Sequence, residues 1–491
     1  MSGFDCDVLI AGMGPVGAML GVLLEQEGLS AIAIDKDTEV YPLPRAAHFD
    51  SEVMRIFQAA GVAEAVLPHT QQTDRYDFRN AAGELLMSFG MSPTSPSGWA
   101  SGYMFHQPAA EVALRDRFAA LGGQARLGCK LESFVQDAEG VTAKLVGPDG
   151  PQTVRARYLV GCDGGRSTVR EQLGLTLDDL QFDEPWLVID VKVGPKANLP
   201  KVNLQVCDPA RPTTCVLMGP GRHRWEFMLL PGETAEQVVE DGFIEALMSK
   251  WDAGDIEVER RAVYRFHGLV AHQWRKGRVI LAGDSAHQTP PFAGQGMCAG
   301  LRDAANLAWK LGAVLKAGAD DRLLDTYQQE RDPHVRGFIG LAIGMGRVVC
   351  TLDPEAAKAR DAQMLAQMAS GAPPLPPAGA PPLQGGLLMS GAPGAGEMFP
   401  QPWADGKRLD DVLGAGAWLI GASLAPAGVR AVPLAAAELA PFAGPVKAWL
   451  DAKGCSAVLV RPDRYVFGAG EASALSDGYA QALGVPAPTP A

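Results

Sequence analysis

Two kinds of apolar pattern divide this chain. The segments 7–11, 31–34, 158–162 and 279–282 are short apolar runs, which predicts strands buried in the middle of a mainly parallel sheet. The segments 75–79, 85–89, 186–193, 202–206, 215–219, 224–230 and 258–266 alternate between apolar and polar, which predicts a largely antiparallel sheet with one covered face. The two kinds interleave, so the parallel sheet is begun at the N-terminus, left, and resumed far downstream. After residue 315 the pattern turns helical to about 369. The tract GAPPLPPAGAPPLQGG then opens a stretch read as an extended linker or a wrapped arm. A strand within 414–421, a helix around 446–452 and strands at 457–461 and 464–467 predict a small α/β domain beyond it.

The expected organisation is an α/β cofactor-binding domain in three parts (1–70, 106–180 and 271–370), a substrate domain inserted in two (71–105 and 181–270), a Pro/Gly-rich linker (371–402) and a C-terminal domain (403–491).

The first strand runs into Gly12-Met13-Gly14-Pro15-Val16-Gly17, a helix follows to about Glu27, and the second strand closes on Asp35. This is a Rossmann-type βαβ unit. Its glycines permit a tight turn, close approach of a pyrophosphate and close helix–strand packing, and the acid can hold ribose hydroxyls. The strand at 279–282 ends in Gly283-Asp284, and Gly294-Gln295-Gly296 opens a long amphipathic helix. A carboxylate at a strand end accepts hydrogen bonds from a sugar or ribityl hydroxyl, while a helix N-terminus faces an anionic group with free N–H donors. Together the two ends of the chain predict a grip on an adenine dinucleotide.

Composition narrows the partners. The net charge of −13 argues against nucleic acid or an anionic membrane. The eight cysteines are scattered, with no C-x-x-C and no zinc spacing, so no metal site is expected and reduced thiols in a cytoplasmic protein are. The N-terminus MSGFDCD has no basic region of the kind that opens a signal peptide. The uncharged run from Val8 to Leu24 is broken by glycines and Pro15 where a strand-turn-helix needs them, which disfavours a membrane span.

Three motifs in order, GMGPVG at 12–17, YLVGCDGGRSTVR at 158–170 and GRVILAGDSAHQTPPFAGQG at 277–296, resemble those of the single-component FAD-dependent aromatic hydroxylases, the para-hydroxybenzoate hydroxylase group. The resemblance covers roughly residues 5–370; YPLPRAAHFDSEVMRIFQ at 41–58 and the C-terminal extension look most like the 3-(3-hydroxyphenyl)propionate hydroxylase subgroup. It implies that Gly12, Gly14, Gly17 and Asp35 hold the ADP half of FAD, that Arg45 and Gln107 contact its flavin side, and that Asp163 belongs to an Asp-Gly motif serving FAD and pyridine nucleotide. Gly283 and Asp284 would meet the ribityl region, and Pro291, Gly294, Gln295, Gly296 and Met297 would line the isoalloxazine. His48, with Arg45 and Pro291, is placed on the catalytic side. The tail resembles a thioredoxin-like domain; its one cysteine, Cys455, excludes dithiol exchange and leaves packing or homodimerisation as its role.

The resemblance implies hydroxylation of a small phenol ortho or para to its hydroxyl, with NADH or NADPH and O₂ as co-substrates and a flavin C4a-hydroperoxide as the oxygen donor. Rival readings are a polyketide-tailoring or other flavin oxygenase, a non-catalytic flavin protein, and a plain nicotinamide dehydrogenase. A flavin halogenase is disfavoured, since W-x-W-x-I-P does not occur.

Overall fold

The computed structural model describes residues 3–371 and 380–485. Its first sheet has eight strands; five are parallel, in the order Val279–Leu281, Gly150–Gly161, Cys6–Ala11, Ala31–Asp35 and Gln124–Leu127, and Arg275–Lys276, Val141–Gly147 and Lys130–Gln136 join antiparallel. The apolar runs fill its middle: Val8, Leu9, Ile10, Leu159, Val160 and Ile280 are all fully buried. Helix Pro15–Gln26 packs against helix Gly296–Lys316 beside this sheet. The run from Val8 to Leu24 is thus one strand and one helix. No single helix among the described residues is long and apolar enough to cross a membrane.

The second sheet has eight strands, antiparallel except where Asn203–Cys207 runs alongside Arg75–Asn80. Its two long strands, Leu177–Val193 and Ile256–Ala271, pair along most of their length and run through the boundaries expected at 180 and 270. Alternation places Trp225 and Phe227 in an apolar layer with Leu187, Ile189 and Val191, and turns Arg224 and Glu226 to the opposite face. The strand expected at 215–219 is Thr213–Leu217, and Gly102–Phe105 pairs with His48–Asp50 and Thr70–Gln71 in a small third sheet.

The C-terminal sheet has the order Val429–Val432, Ala417–Ile420, Ala457–Val460, Val466–Gly470, parallel in the first pair and antiparallel in the others. With helices Ala443–Lys453 and Ala472–Leu483 this is a thioredoxin-like arrangement, in which a loop replaces the helix between the first two strands. The described part of the Pro/Gly-rich tract is a wrapped arm. Leu383, Leu387 and Phe399 are buried, and the Met389 and Gly396 N–H groups donate to the Phe467 and Val466 carbonyls. Residues 372–379 of that tract lie outside the described residues.

Buried polar clusters dock this domain, among them Arg55–Asp410–Arg464 and the two that follow. Tyr465 donates to Glu52 at 2.6 Å; Glu52 accepts from Arg302, which also binds Asp50. In the second cluster, Glu330 accepts from Arg461 at 2.7 Å and pairs with Lys310 at 2.8 Å, all three fully buried.

Candidate active site

Four of the parallel strands deliver their motifs to the same end of the first sheet: Ala11 leads into Gly12, the second strand ends at Asp35, Gly161 leads into Cys162-Asp163, and Leu281 into Gly283-Asp284. Ligands of open parallel sheets bind at that carboxyl edge. A cavity of about 860 Å³ lies there, roofed by the inserted sheet. That is in the upper part of the roughly 300–1,000 Å³ range of small-molecule sites.

The three motif glycines have different tasks. A Cβ at Gly12 would stand 2.4 Å from the Cys162 carbonyl oxygen, and one at Gly17 would stand 1.9 Å from that of Gly12. Both serve the protein's own packing, and Gly17 does not reach the cavity. A Cβ at Gly14 would meet nothing nearer than the Arg45 guanidinium at 3.7 Å, so protein packing gives no reason for a glycine there. Asp35 accepts from the Met13 and Asp37 N–H groups at 2.8 and 3.0 Å, which ties the glycine loop to the end of the second strand. Arg115 closes the loop from the other side by donating to the Met13 carbonyl.

Arg45 and Asp284 line the cavity, and neither side chain makes a hydrogen bond or ion pair with a described residue. The Arg45 guanidinium lies beside Gly14, at the glycine-loop end rather than the flavin side. Its backbone is pinned from two directions. Gln107 Oε1 accepts from the Arg45 and Ala46 N–H groups, and Arg224 donates to the Pro44 and Arg45 carbonyls at 2.8 and 2.7 Å. Gln107 is therefore spent on that loop and on Glu111. The Asp163 carboxylate is likewise engaged, accepting from Ser167 Oγ and the Val169 N–H; burial raises its pKa while those bonds lower it.

At the far end Pro291, Gly294, Gly296 and Met297 line the cavity around the start of helix Gly296–Lys316. Gln295 does not. It is buried, with its amide donating to Asp50 and accepting from Arg302, because a helix start this close to two charged groups needs a polar residue between them. Gly283 is also buried behind Asp284, its N–H donating to Asp303. His48 faces the cavity with Nδ1 3.5 Å from the Gly294 carbonyl oxygen. Burial lowers its pKa against the opposing pull of Asp50, which keeps the imidazole neutral near pH 7. His287 is fully buried against Asp303 and is structural.

The inserted sheet contributes residues that sequence reading missed. Asp190 binds Arg224 through both oxygens, at 2.6 and 3.0 Å, and meets Arg260 at 3.4 Å. One register step away Val188, Glu226, Thr214 and Gln205 form a row across four strands. A further step brings Trp186, whose ring packs on Phe292 at 5.6 Å and Phe266 at 6.0 Å and closes that side to water. The available signal was the alternation of Arg224 and Glu226 with Trp225 and Phe227: charges interleaved with buried aromatics mark the face that covers a site.

Residues 5–341 match the FAD binding domain family, and residues 433–484 match the HcaD C-terminal domain. The chain belongs to the FAD-binding family. It is 39% identical, over 97% of its length and 94% of the relative's, to a probable NADH-specific resorcinol 4-hydroxylase of Rhodococcus jostii. It is 35% identical, over 95% and 89%, to a 3-(3-hydroxy-phenyl)propionate/3-hydroxycinnamic acid hydroxylase of a Mycobacterium species. The solved ternary complex of aklavinone-11 hydroxylase with FAD and aklavinone matches 99% of this chain and 100% of that one, with a TM-score of 0.79 at 26% identity.

The residues of this flavoprotein fit FAD. The space at Gly14 admits a phosphate where a side chain would have fitted, the Arg45 guanidinium beside it and the Asp284 carboxylate line the cavity unpaired with any described residue, and two helix N-termini face the cavity.

Proposed function

We propose that this flavoprotein is an NADH- and O₂-dependent monooxygenase that adds one hydroxyl group to a small phenol. The observation that carries the reading is the continuity of the cavity, from the glycine loop past Asp284 to a buried polar face of the inserted sheet, in a chain that matches aromatic hydroxylases along nearly all of its length. One oxygen atom enters the ring, the other leaves as water, and NADH supplies the two electrons.

Gly12 and Gly14, with the N-terminus of helix Pro15–Gln26 and the Arg45 guanidinium, bind the pyrophosphate. Asp35 accepts from a ribose hydroxyl, and Asp284 from the polyol chain. Pro291, Gly294, Gly296 and Met297 surround the isoalloxazine, where the N-terminus of helix Gly296–Lys316 stabilises negative charge on the reduced ring. FAD held there would supply the redox chemistry that links NADH, O₂ and the substrate. Neutral His48 positions the substrate without adding charge, and the Trp186, Phe266 and Phe292 wall keeps bulk water from the reacting atoms. Gln107 and Asp163 line the cavity as well, and Gly17, Gly283 and Gln295 shape it from behind.

The test is NADH oxidation by the FAD-loaded protein with a panel of phenols, read with product mass. A gain of one oxygen with a stimulating phenol is expected; oxidation that no phenol stimulates overturns the reading. For the polyol contact, Asp284→Ala is expected to weaken FAD binding roughly ten- to a hundred-fold, the size of a lost hydrogen bond to a charged group. Fluorescence titration of the apoprotein measures it, and an unchanged affinity removes Asp284 from the site.

A further inference from the structure

Glu226 is 6% exposed and lines the cavity. Its carboxylate is paired with Arg224 Nη1 at 3.6 Å, and Arg260 and Asp190 also act on it electrostatically. Arg224 is otherwise spent: Nε and Nη2 go to Asp190, Nη2 also to the Pro44 carbonyl, and Nη1 to that of Arg45. Beyond that pair no hydrogen bond from a described residue reaches the Glu226 carboxylate, which leaves it an acceptor for a ligand donor in the cavity.

Its surroundings say which kind. Along the same row, Thr214 donates to Gln205 Oε1 at 2.7 Å and Gln205 bonds to the Tyr76 hydroxyl, a chain of uncharged groups. The row lies between the Trp186 wall, which packs on Phe292 beside the isoalloxazine end, and the Asp190–Arg224–Arg260 row, which holds the Pro44–Arg45 segment. With Glu226 ionised, the two arginines and two carboxylates of this face sum to zero charge. Burial raises the Glu226 pKa against the lowering by Arg224, and a more basic carboxylate is a stronger acceptor for a phenolic O–H.

Resting on the hydroxylase reading, we infer that Glu226 receives a ring hydroxyl of the substrate, and that the pocket takes an uncharged hydroxyarene, of the dihydroxybenzene class, in preference to a phenol carrying a carboxylate. A second anion would face Glu226 with its nearest cation already engaged. The one rival partner on this face is Arg260, whose Nε is buried without an acceptor.

The experiment uses a matched pair, resorcinol and 3,5-dihydroxybenzoate, which differ only in the carboxylate. Binding to the FAD-loaded protein is read from perturbation of the flavin absorbance without turnover, so this inference fails separately from hydroxylation itself. Wild-type protein is expected to bind resorcinol at least about ten-fold tighter, and Glu226→Gln, checked for full FAD content, to reduce that preference by roughly ten-fold as the like charge is removed. Tighter binding of the acid by wild type would assign the pocket to Arg260 and overturn the proposal. So would a preference that Glu226→Gln leaves unchanged.

Discussion

Replacing Gly14 with valine is expected to give a folded, colourless protein. Glycine loops of this kind invite two outcomes on substitution, collapse of the loop or loss of the ligand, and here the surroundings decide between them. At Gly12 and Gly17 an added Cβ runs into backbone at 2.4 and 1.9 Å, so substitution there costs stability before it costs binding. At Gly14 the nearest atom is the end of the flexible Arg45 side chain at 3.7 Å, and the backbone, φ −70° and ψ −170°, is one that valine adopts without strain. The valine side chain fits the protein and fills the space through which the pyrophosphate reaches the helix N-terminus. The expected result is a chemical-denaturation midpoint within the range of a surface substitution, together with loss of most bound FAD on gel filtration. Retained yellow colour would place the pyrophosphate elsewhere. An unfolded product would mean that Gly14 serves packing after all.

The same contrast explains what could be read in the sequence. That Gly12, Gly14, Asp35 and Asp284 line one cavity was legible because their placement follows from local order: an apolar strand fixes where it ends, and these residues sit at that end. The three ordered motifs settled the first sheet for the same reason. The directions of the Gln295 and Gln107 side chains were not legible, because motif position says nothing of side-chain direction; Gln107 lines the cavity and Gln295 does not. Gln295 turns to Asp50 and Arg302, and its hydrogen bond to Asp50 spans 245 residues of sequence. Gln107 turns back to the Pro44–Arg45 segment, whose other anchor, Arg224, is on a different sheet. Glu226 was passed over for a further reason, although its alternation with Trp225 and Phe227 was there to be read. A carboxylate on an alternating strand reads as solvent-facing, and only the arrival of the cofactor sheet over that face converts it into a buried group.

Glu330→Gln is expected to be the most destabilising substitution outside the cavity, by about 3–5 kcal/mol, the cost of removing one partner from a buried charge network. Glu330 lies on helix Asp325–Val349 and gathers four elements. It pairs with Lys310 of the helix that starts at Gly296, accepts from Asn306 of the same helix, accepts from Arg461 of the C-terminal domain, and accepts the Leu387 N–H of the wrapped arm. Glutamine keeps the shape and takes from Lys310 the carboxylate it pairs with, leaving Asp463 as the remaining anion for Lys310 and Arg461. The pH dependence identifies the cause. Burial disfavours the Glu330 carboxylate, but Arg461 and Lys310 outweigh it and hold its pKa down to about 2, against an ordinary 4.5. A carboxyl depressed in the folded state contributes stability that is fully present above pH 4.5 and is lost as pH falls toward 2. Denaturant midpoints measured from neutral pH down to pH 3 should therefore fall less steeply in the variant than in wild type, with the two curves converging at the acid end. A constant offset at every pH would mean that packing, not charge, is what Glu330 supplies. Because Lys310 and Asn306 belong to the helix whose first turn lines the cavity, the variant should also release FAD at a lower temperature than wild type although every residue lining the cavity is intact.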